Sequence, residues 1–211
     1  INRSEIDLLV FISQTPDYRM PATSVILQDR LHLSNSTIAF DINLGCSAFM
    51  YGMSVVYALM QQKGLRKALI LDGETRSKVY SPKDRRTAFL FGDGGVAALV
   101  ERGECFGKSY FSLNSDGSRE GLIKVDAGGY RKMSSVETVK ERVVDEYGNI
   151  RSEEQGYMYG GDVFNFVIRE IPKDIKALLA YAETDKDEFD YMVFHQANNF
   201  INSYLAKKLK L

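Results

Sequence analysis

The sequence predicts an α/β protein built on a parallel sheet. Leu8 to Ile12 and Ala68 to Leu71 are short, continuous apolar runs, which are typical of strands that are covered on both faces. Between them lie segments in which apolar residues recur at helical spacing. Strands and helices therefore alternate along the first half of the chain, and this alternation favours right-handed crossovers onto one parallel sheet.

Composition excludes several classes of protein. The chain has 211 residues, of which 45% are hydrophobic and 26% charged, so it can bury a sizeable core. Its net charge of -1 offers no basic excess, and we therefore expect neither nucleic acid nor a membrane as a partner. Only Cys46 and Cys105 carry thiols, and no signal peptide or long apolar span is present, so the sequence predicts reduced cysteines and a cytoplasmic location.

The first predicted helix and the second predicted strand follow the first strand. Pro21 is well placed in the first turn of the helix. Its inward face would be formed by Val25, Ile26 and Leu31. The β-branched and aromatic run Ile38 to Ile42 predicts the second strand, and the helix after it is expected to stop at Gly64. The third strand, Ala68 to Leu71, would end at the turn signal Asp72-Gly73.

A glycine-rich segment, Gly92 to Gly95, separates the apolar runs Ala88 to Phe91 and Val96 to Val100. This pattern predicts a β-hairpin. A phosphate-binding loop is the alternative, but no Gly-Lys-Ser/Thr follows and the next segment has the pattern of a strand. Phe106 to Leu113 and Leu122 to Val125 are further predicted strands.

The second half of the chain is predicted to contain a charged stretch and two helices that are separated by a strand. The charged stretch Ser134 to Gln155 lacks an apolar stripe and is interpreted as a surface excursion that carries little chemistry. Asp162 can cap a long amphipathic helix, which Pro172 is expected to kink or break. Tyr191 to Phe194 is predicted as a buried strand. An amphipathic helix would follow it, with its inward face formed by Phe200, Ile201, Tyr204 and Leu205.

Cys46 lies at the corner between the second strand and the second helix. At a helix N-terminus, unpaired backbone N–H groups and the positive end of the macrodipole favour a thiolate, which is a nucleophile. The alternative is a small buried residue with no chemical role. His195 occupies a matching corner, between the predicted strand Tyr191 to Phe194 and the last helix, where α/β proteins collect active-site residues. His32, on an exposed helix end, is interpreted as structural.

Four ordered motifs carry a resemblance to a known family. They are FDINLGCSAFMYGMSV, SPKDRRTAFLFGDGG, MYGGDVFNFV and VFHQANNFI. In order and spacing they resemble the signatures of β-ketoacyl-acyl-carrier-protein synthase III, a condensing enzyme of the thiolase superfamily. The resemblance implies a five-layer αβαβα fold, incomplete here at both termini, in which residues 1–103 end the N-terminal half and residues 104–211 begin the C-terminal half. It also implies a homodimer.

The resemblance implies a decarboxylative Claisen condensation. Cys46 would take the acyl group from acyl-CoA, and His195 would stabilise the carbanion formed from malonyl-acyl carrier protein. Arg85, Gly160 and Asn198 match positions that contact CoA and its pantetheine arm. The substrate pocket would be lined by Phe164 and by Met20 from the partner subunit. Acyl-CoA is then a substrate, and no permanently bound cofactor or metal is implied.

Departures from the family pattern leave alternatives open. The Gly-Asn-Thr segment and the glycine-rich loop that complete such sites are absent from this sequence, so we expect both ends of the chain to be interruptions and the chain alone to be inactive. Phe200 and Asn165 stand where relatives carry basic residues for docking the carrier protein, although Lys207 and Lys208 are retained. The alternatives are a divergent acyltransferase of secondary-metabolite or polysaccharide synthesis and a non-catalytic domain.

Overall fold

The computed structural model describes residues 2–103 and 106–211. Within them the chain forms two compact units, one of residues 2–75 with 93–103 and 106–111, and the other of Arg76–Gly92 with Ser112–Leu211. Cys105 and the predicted boundary at residue 104 lie outside the described residues. The division into two related halves stays a prediction.

A four-stranded mixed sheet forms the centre of the first unit. Its strands are β1 (Leu8–Ile12), β2 (Ile38–Ile42), β3 (Lys67–Thr75) and β4 (Asp93–Glu101), in the order β2-β1-β3-β4. β1 is parallel to both neighbours, with Leu8 opposite Ile38 on one side and Ala68 on the other. The predicted parallel strands are therefore confirmed, and β1 lies between β2 and β3, which accounts for its continuous apolar run.

The predicted glycine-rich hairpin is wrong. Ala88 to Phe91 adopts turns and no strand, whereas Gly94 and Gly95 lie inside β4, which pairs antiparallel with β3. β3 continues through the expected turn at Asp72-Gly73, and Gly73 lies directly opposite Gly95. Gly73 in β3 and Gly94 and Gly95 in β4 therefore lie within paired strands, and neither glycine segment forms a turn that reverses the chain.

Helix α1 (Thr23–Arg30) is tied to the sheet at its N-terminus. The Asp41 carboxylate, on β2, accepts hydrogen bonds from the backbone N–H groups of Thr23 and Ser24, each at 2.8 Å. A carboxylate satisfies these uncapped donors and complements the helix dipole. This contact holds the start of α1 against the sheet, and Thr23 and Ser24 are buried there. The predicted inward position of Val25 is wrong, since Val25 is 47% exposed.

Helix α2 (Ala48–Leu59) covers one face of the sheet. Its buried residues Ala48 and Val56 share a core with Leu8, Val10, Ile12, Ala68 and Ile70. Gly52 lies close to β1, because a Cβ atom added there would stand 2.7 Å from Cδ1 of the buried Ile12. A glycine at this position lets the helix pack closely against the strand.

The second unit contains two helices and two short antiparallel strand pairs. The helices are α3 (Gly160–Tyr181) and α4 (Asn199–Leu209). β5 (Ile123–Lys124) pairs with β8 (Tyr157–Met158), and β6 (Arg142–Val143) pairs with β7 (Ile150–Arg151). Phe106 to Leu113, predicted as a strand, has no regular secondary structure.

Helix α3 continues through Pro172, so the predicted break does not occur. Proline has no N–H, and the Ile168 carbonyl, four residues earlier, loses its helical donor. The ammonium of Lys208, on α4, donates to that carbonyl oxygen at 2.7 Å. A side chain of the packed neighbouring helix therefore replaces the missing hydrogen bond.

Replacing Lys208 by methionine is expected to lower the free energy of unfolding by about 1 kcal/mol, since the Ile168 carbonyl loses its donor. Urea unfolding followed by circular dichroism measures the change. Lys207→Met, at the adjacent exposed position, is the matched control and is expected to change stability by less than about 0.5 kcal/mol. Equal effects of the two substitutions would contradict this role for Lys208.

The predicted buried strand Tyr191 to Phe194 is also wrong. The segment has no regular secondary structure, and Tyr191 and Val193 are 86% and 90% exposed. Among the described residues no strand pairs with it. An apolar run without a neighbouring strand has no ladder in which to form hydrogen bonds.

Candidate active site

Cys46 lies in the turn between the end of β2 and the start of α2. The turn is closed by a hydrogen bond from the Ala48 N–H to the Gly45 carbonyl at 2.8 Å. Cys46 is exposed, so the alternative of a small buried residue is wrong. A thiol on the solvent side of a strand-to-helix corner can be reached by a substrate.

The N-terminus of α2 is electrostatically suited to an anion. Its N-cap, Ser47, makes no side-chain capping hydrogen bond, and the first turn contains no acidic residue. The partial positive charge of the helix end is thus not offset by a carboxylate of that turn. Cys46 lies two residues before the first helical residue, where this charge favours a thiolate.

The loops behind Cys46 are held together at the carboxyl ends of the strands. The Glu74 carboxylate, on β3, accepts hydrogen bonds from the Gln14 backbone N–H at 2.8 Å and the Thr15 hydroxyl at 2.9 Å. A Cβ atom at position 45 would stand 3.1 Å from the Gln14 side-chain oxygen. The cysteine turn therefore lies close to the Gln14 side chain.

Met20 is the other predicted site residue of the first unit. It lies in the loop before α1 and is 81% exposed. Its predicted role in the pocket of a partner subunit stays a prediction.

His195 and Asn198 both belong to the segment at the start of α4. His195 is exposed, in the irregular segment that precedes the helix. Asn198 is the N-cap of α4, and its Oδ1 accepts the Ile201 N–H at 2.8 Å. This hydrogen bond fixes the amide, so that its Nδ2 group can donate to a ligand.

Gly160 and Phe164 occupy the first turns of α3. Gly160 is the first helical residue, and the ring of Phe164 lies 5.5 Å from that of Phe200 and 6.2 Å from that of Tyr204. Phe164 is thereby placed next to the N-terminal part of α4. The predicted inward position of Phe200 is wrong, since 68% of Phe200 is exposed.

Arg85 lies in an exposed turn between two residues that are held firmly. Its backbone N–H donates to Oδ1 of Asn149 at 3.0 Å. Before it, the fully buried Asp84 forms an ion pair with Arg151 at 2.9 Å, and after it, Arg86 pairs with Asp145 at 3.1 Å.

The partners of this turn were missed by the sequence analysis, because they belong to the charged stretch Ser134 to Gln155. The sequence signal was present in Asp145-Glu-Tyr-Gly-Asn149, a typical turn composition. In the structure Asp145 accepts hydrogen bonds from the backbone and side chain of Asn149. These bonds, the side-chain one above all, lower the pKa of the Asp145 carboxyl.

The predicted site residues divide between the two units. Cys46 and Met20 belong to the first, whereas the second contains Arg85, Gly160, Phe164, His195 and Asn198. Across residues 2–103 and 106–211, no three His, Cys, Asp or Glu side chains form a cluster that could hold a metal ion. No helix in the described ranges has the length and apolar character that a membrane span requires.

Comparison with known proteins gives a consistent result. Residues 40–117 match the model of the family 3-oxoacyl-[acyl-carrier-protein] synthase III. The chain is 32% identical over 211 residues to a putative 3-oxoacyl-[acyl-carrier-protein] synthase 3 of Campylobacter jejuni, and 35% identical to a β-ketoacyl-[acyl-carrier-protein] synthase III of Clostridioides difficile. Both matches include all of this chain and, respectively, 59% and 61% of the relative.

A crystal structure of a 3-oxoacyl-(acyl-carrier-protein) synthase III has the same fold. It superposes with a TM-score of 0.93 at 34% identity, over all of this chain and 63% of that one. The predicted thiolase-like α/β fold is therefore confirmed. The chain spans about 60% of the length of the curated relatives it matches.

Proposed function

We propose that the chain belongs to the 3-oxoacyl-[acyl-carrier-protein] synthase III family and that the protein is an acyltransferase that condenses an acyl-CoA primer with malonyl-acyl carrier protein. The observation that carries the proposal is the exposed Cys46 beside the uncapped N-terminus of α2. A nucleophilic thiol in such a position suits the formation of a thioester.

In the first half-reaction, the Cys46 thiolate attacks the carbonyl carbon of acyl-CoA. A C–S bond forms to Cys46, the C–S bond to CoA breaks, and CoA leaves as a thiolate that takes up a proton. The acyl group is then held as a thioester on the enzyme. The N-terminus of α2, at Ser47, stabilises the Cys46 thiolate before the attack.

In the second half-reaction, malonyl-acyl carrier protein loses carbon dioxide. The electron pair of the broken C–C bond becomes a carbanion, which attacks the Cys46 thioester and releases the thiolate with 3-oxoacyl-acyl carrier protein as the product. His195 donates a hydrogen bond to the malonyl thioester oxygen, where negative charge develops.

Three further residues would bind the CoA part of the substrate. Arg85 faces its nucleotide end, and Gly160 and Asn198 contact the pantetheine arm. Asn198 suits this role because its capping bond to Ile201 leaves the Nδ2 group as a donor. Phe164, with Met20 of a second subunit, lines the acyl pocket in a cytoplasmic homodimer.

Incubation of the full-length protein with acetyl-CoA, followed by peptide mass spectrometry, tests the proposal. We expect an acetyl adduct on the peptide that contains Cys46, which a second incubation with malonyl-acyl carrier protein removes with release of carbon dioxide. An unmodified Cys46 would overturn the proposed function. An adduct that persists without carbon dioxide release would favour a pure acyl-transfer enzyme.

Replacing His195 by alanine is expected to separate the half-reactions. The kcat of condensation should fall by a factor on the order of 10² to 10³, the cost of losing one donor to a developing oxyanion. Acetylation of Cys46 should continue at nearly its normal rate. Gln196→Ala is the matched control, since the Gln196 amide donates to the nearby Phe194 carbonyl at 3.0 Å. Loss of acetylation in His195→Ala would contradict the assigned role.

A further inference from the structure

Two segments of the second unit are locked together through buried polar contacts. One is the turn 79–86, and the other is the stretch 137–156, which we call the anchoring segment. Asp84 has no solvent exposure and pairs with Arg151, while the buried Ser81 hydroxyl donates to the Ile150 carbonyl at 2.6 Å. Backbone bonds join the segments at both ends, from the Ile150 N–H to the Lys83 carbonyl and from the Gly156 N–H to that of Val79. A solvated surface excursion would not bury a carboxylate in this way.

The anchoring segment also neutralises the cations on either side of Arg85. Lys83 pairs with Glu141 at 2.5 Å, and Arg86 pairs with Asp145 at 3.1 Å. Arg85 itself forms no ion pair within the described ranges, and its backbone N–H is held by the buried Asn149. Of the three cations of the turn, Arg85 is therefore the one whose charge the anchoring segment leaves for a ligand.

We propose that the anchoring segment is a positioning element for substrate binding, in which Asn149 fixes the backbone of Arg85. Glu141 and Asp145 neutralise the neighbouring cations, so that anion binding by the turn is restricted to the Arg85 side chain. Asn149 is a positioning residue, since it acts through Arg85. The ligand is the phosphate-bearing nucleotide end of acyl-CoA, so the inference rests on the proposed function. Guanidinium groups suit such oxygens because their donors are fixed in a planar fork.

Binding of acetyl-CoA to full-length protein carrying Cys46→Ala, measured by isothermal titration calorimetry, tests the inference without turnover. Asn149→Ala should raise the dissociation constant about three- to tenfold, as expected for one lost hydrogen bond. Glu137→Gln is the matched control, because this exposed residue of the same segment pairs with Lys140 and Arg142 and not with the turn.

The combination of Arg85→Ala with Asn149→Ala distinguishes positioning from general damage. If Asn149 acts through Arg85, the double variant should bind no more weakly than Arg85→Ala alone. Additive losses, or unchanged binding in Asn149→Ala while Arg85→Ala is weakened, would overturn the inference and leave the proposed function standing. Unchanged binding in Arg85→Ala would show that the CoA site is assigned wrongly, and the inference would fall with it.

Discussion

Replacing Cys46 by alanine is expected to abolish acyl transfer and condensation together. Alanine cannot form the thioester on which both half-reactions depend, and loss of a nucleophile lowers kcat by a factor on the order of 10⁶ in a well-studied hydrolase. The fold should be unaffected, because the side chain is exposed and alanine preserves the backbone of the turn. Release of CoA from acetyl-CoA and formation of 3-oxoacyl product measure the two steps separately.

Ser47→Ala provides the matched control for Cys46→Ala. Ser47 adjoins the cysteine and is also exposed, but its side chain makes no capping hydrogen bond to α2. We expect its substitution to change kcat less than about twofold, since no contact of the turn depends on it. Residual turnover of Cys46→Ala above one-hundredth of the parent rate would show that another group carries the acyl chain.

The strands of the first unit were predictable where the local pattern reflects burial on both faces. Leu8–Ile12 has the predicted bounds, and Leu8 to Val10 are fully buried. Ile38–Ile42 also has the predicted bounds, which follow from its β-branched and aromatic content, but none of its residues is buried. The glycine-rich start of β4 was not predictable, because glycine signals a turn unless a partner is known. That partner is Gly73, more than twenty residues earlier in the sequence.

The candidate site shows the same distinction between local and distant causes. The turn at Cys46 and the cap at Asn198 follow from neighbouring residues, and the sequence predicted helix starts after Cys46 and after His195. The contact of Asp84 with Arg151 joins residues that are 67 positions apart. Charge runs on both segments resemble solvated surface, so only the fold shows that this carboxylate is buried.

Replacing Asp84 by alanine is expected to destabilise the protein more than any surface charge change would. The carboxylate is completely buried, pairs with Arg151 and also accepts the Arg86 N–H at 3.0 Å. Its removal leaves the Arg151 guanidinium, whose side chain is 17% exposed, without its anion. Breaking a buried pair on one side costs about 3–5 kcal/mol, and the free energy of unfolding should fall by that order.

Urea unfolding of three variants separates this cost from the loss of a surface charge. Glu137→Ala removes the exposed partner of Lys140 and should cost less than about 1 kcal/mol. Asp84→Ala with Arg151→Met removes both buried charges, and because no unpaired cation remains, it should be more stable than Asp84→Ala alone. If Asp84→Ala costs no more than Glu137→Ala, the buried pair does not anchor the turn that carries Arg85. If the double variant is no more stable than the single one, the destabilisation arises from lost packing, with no share from an unpaired Arg151.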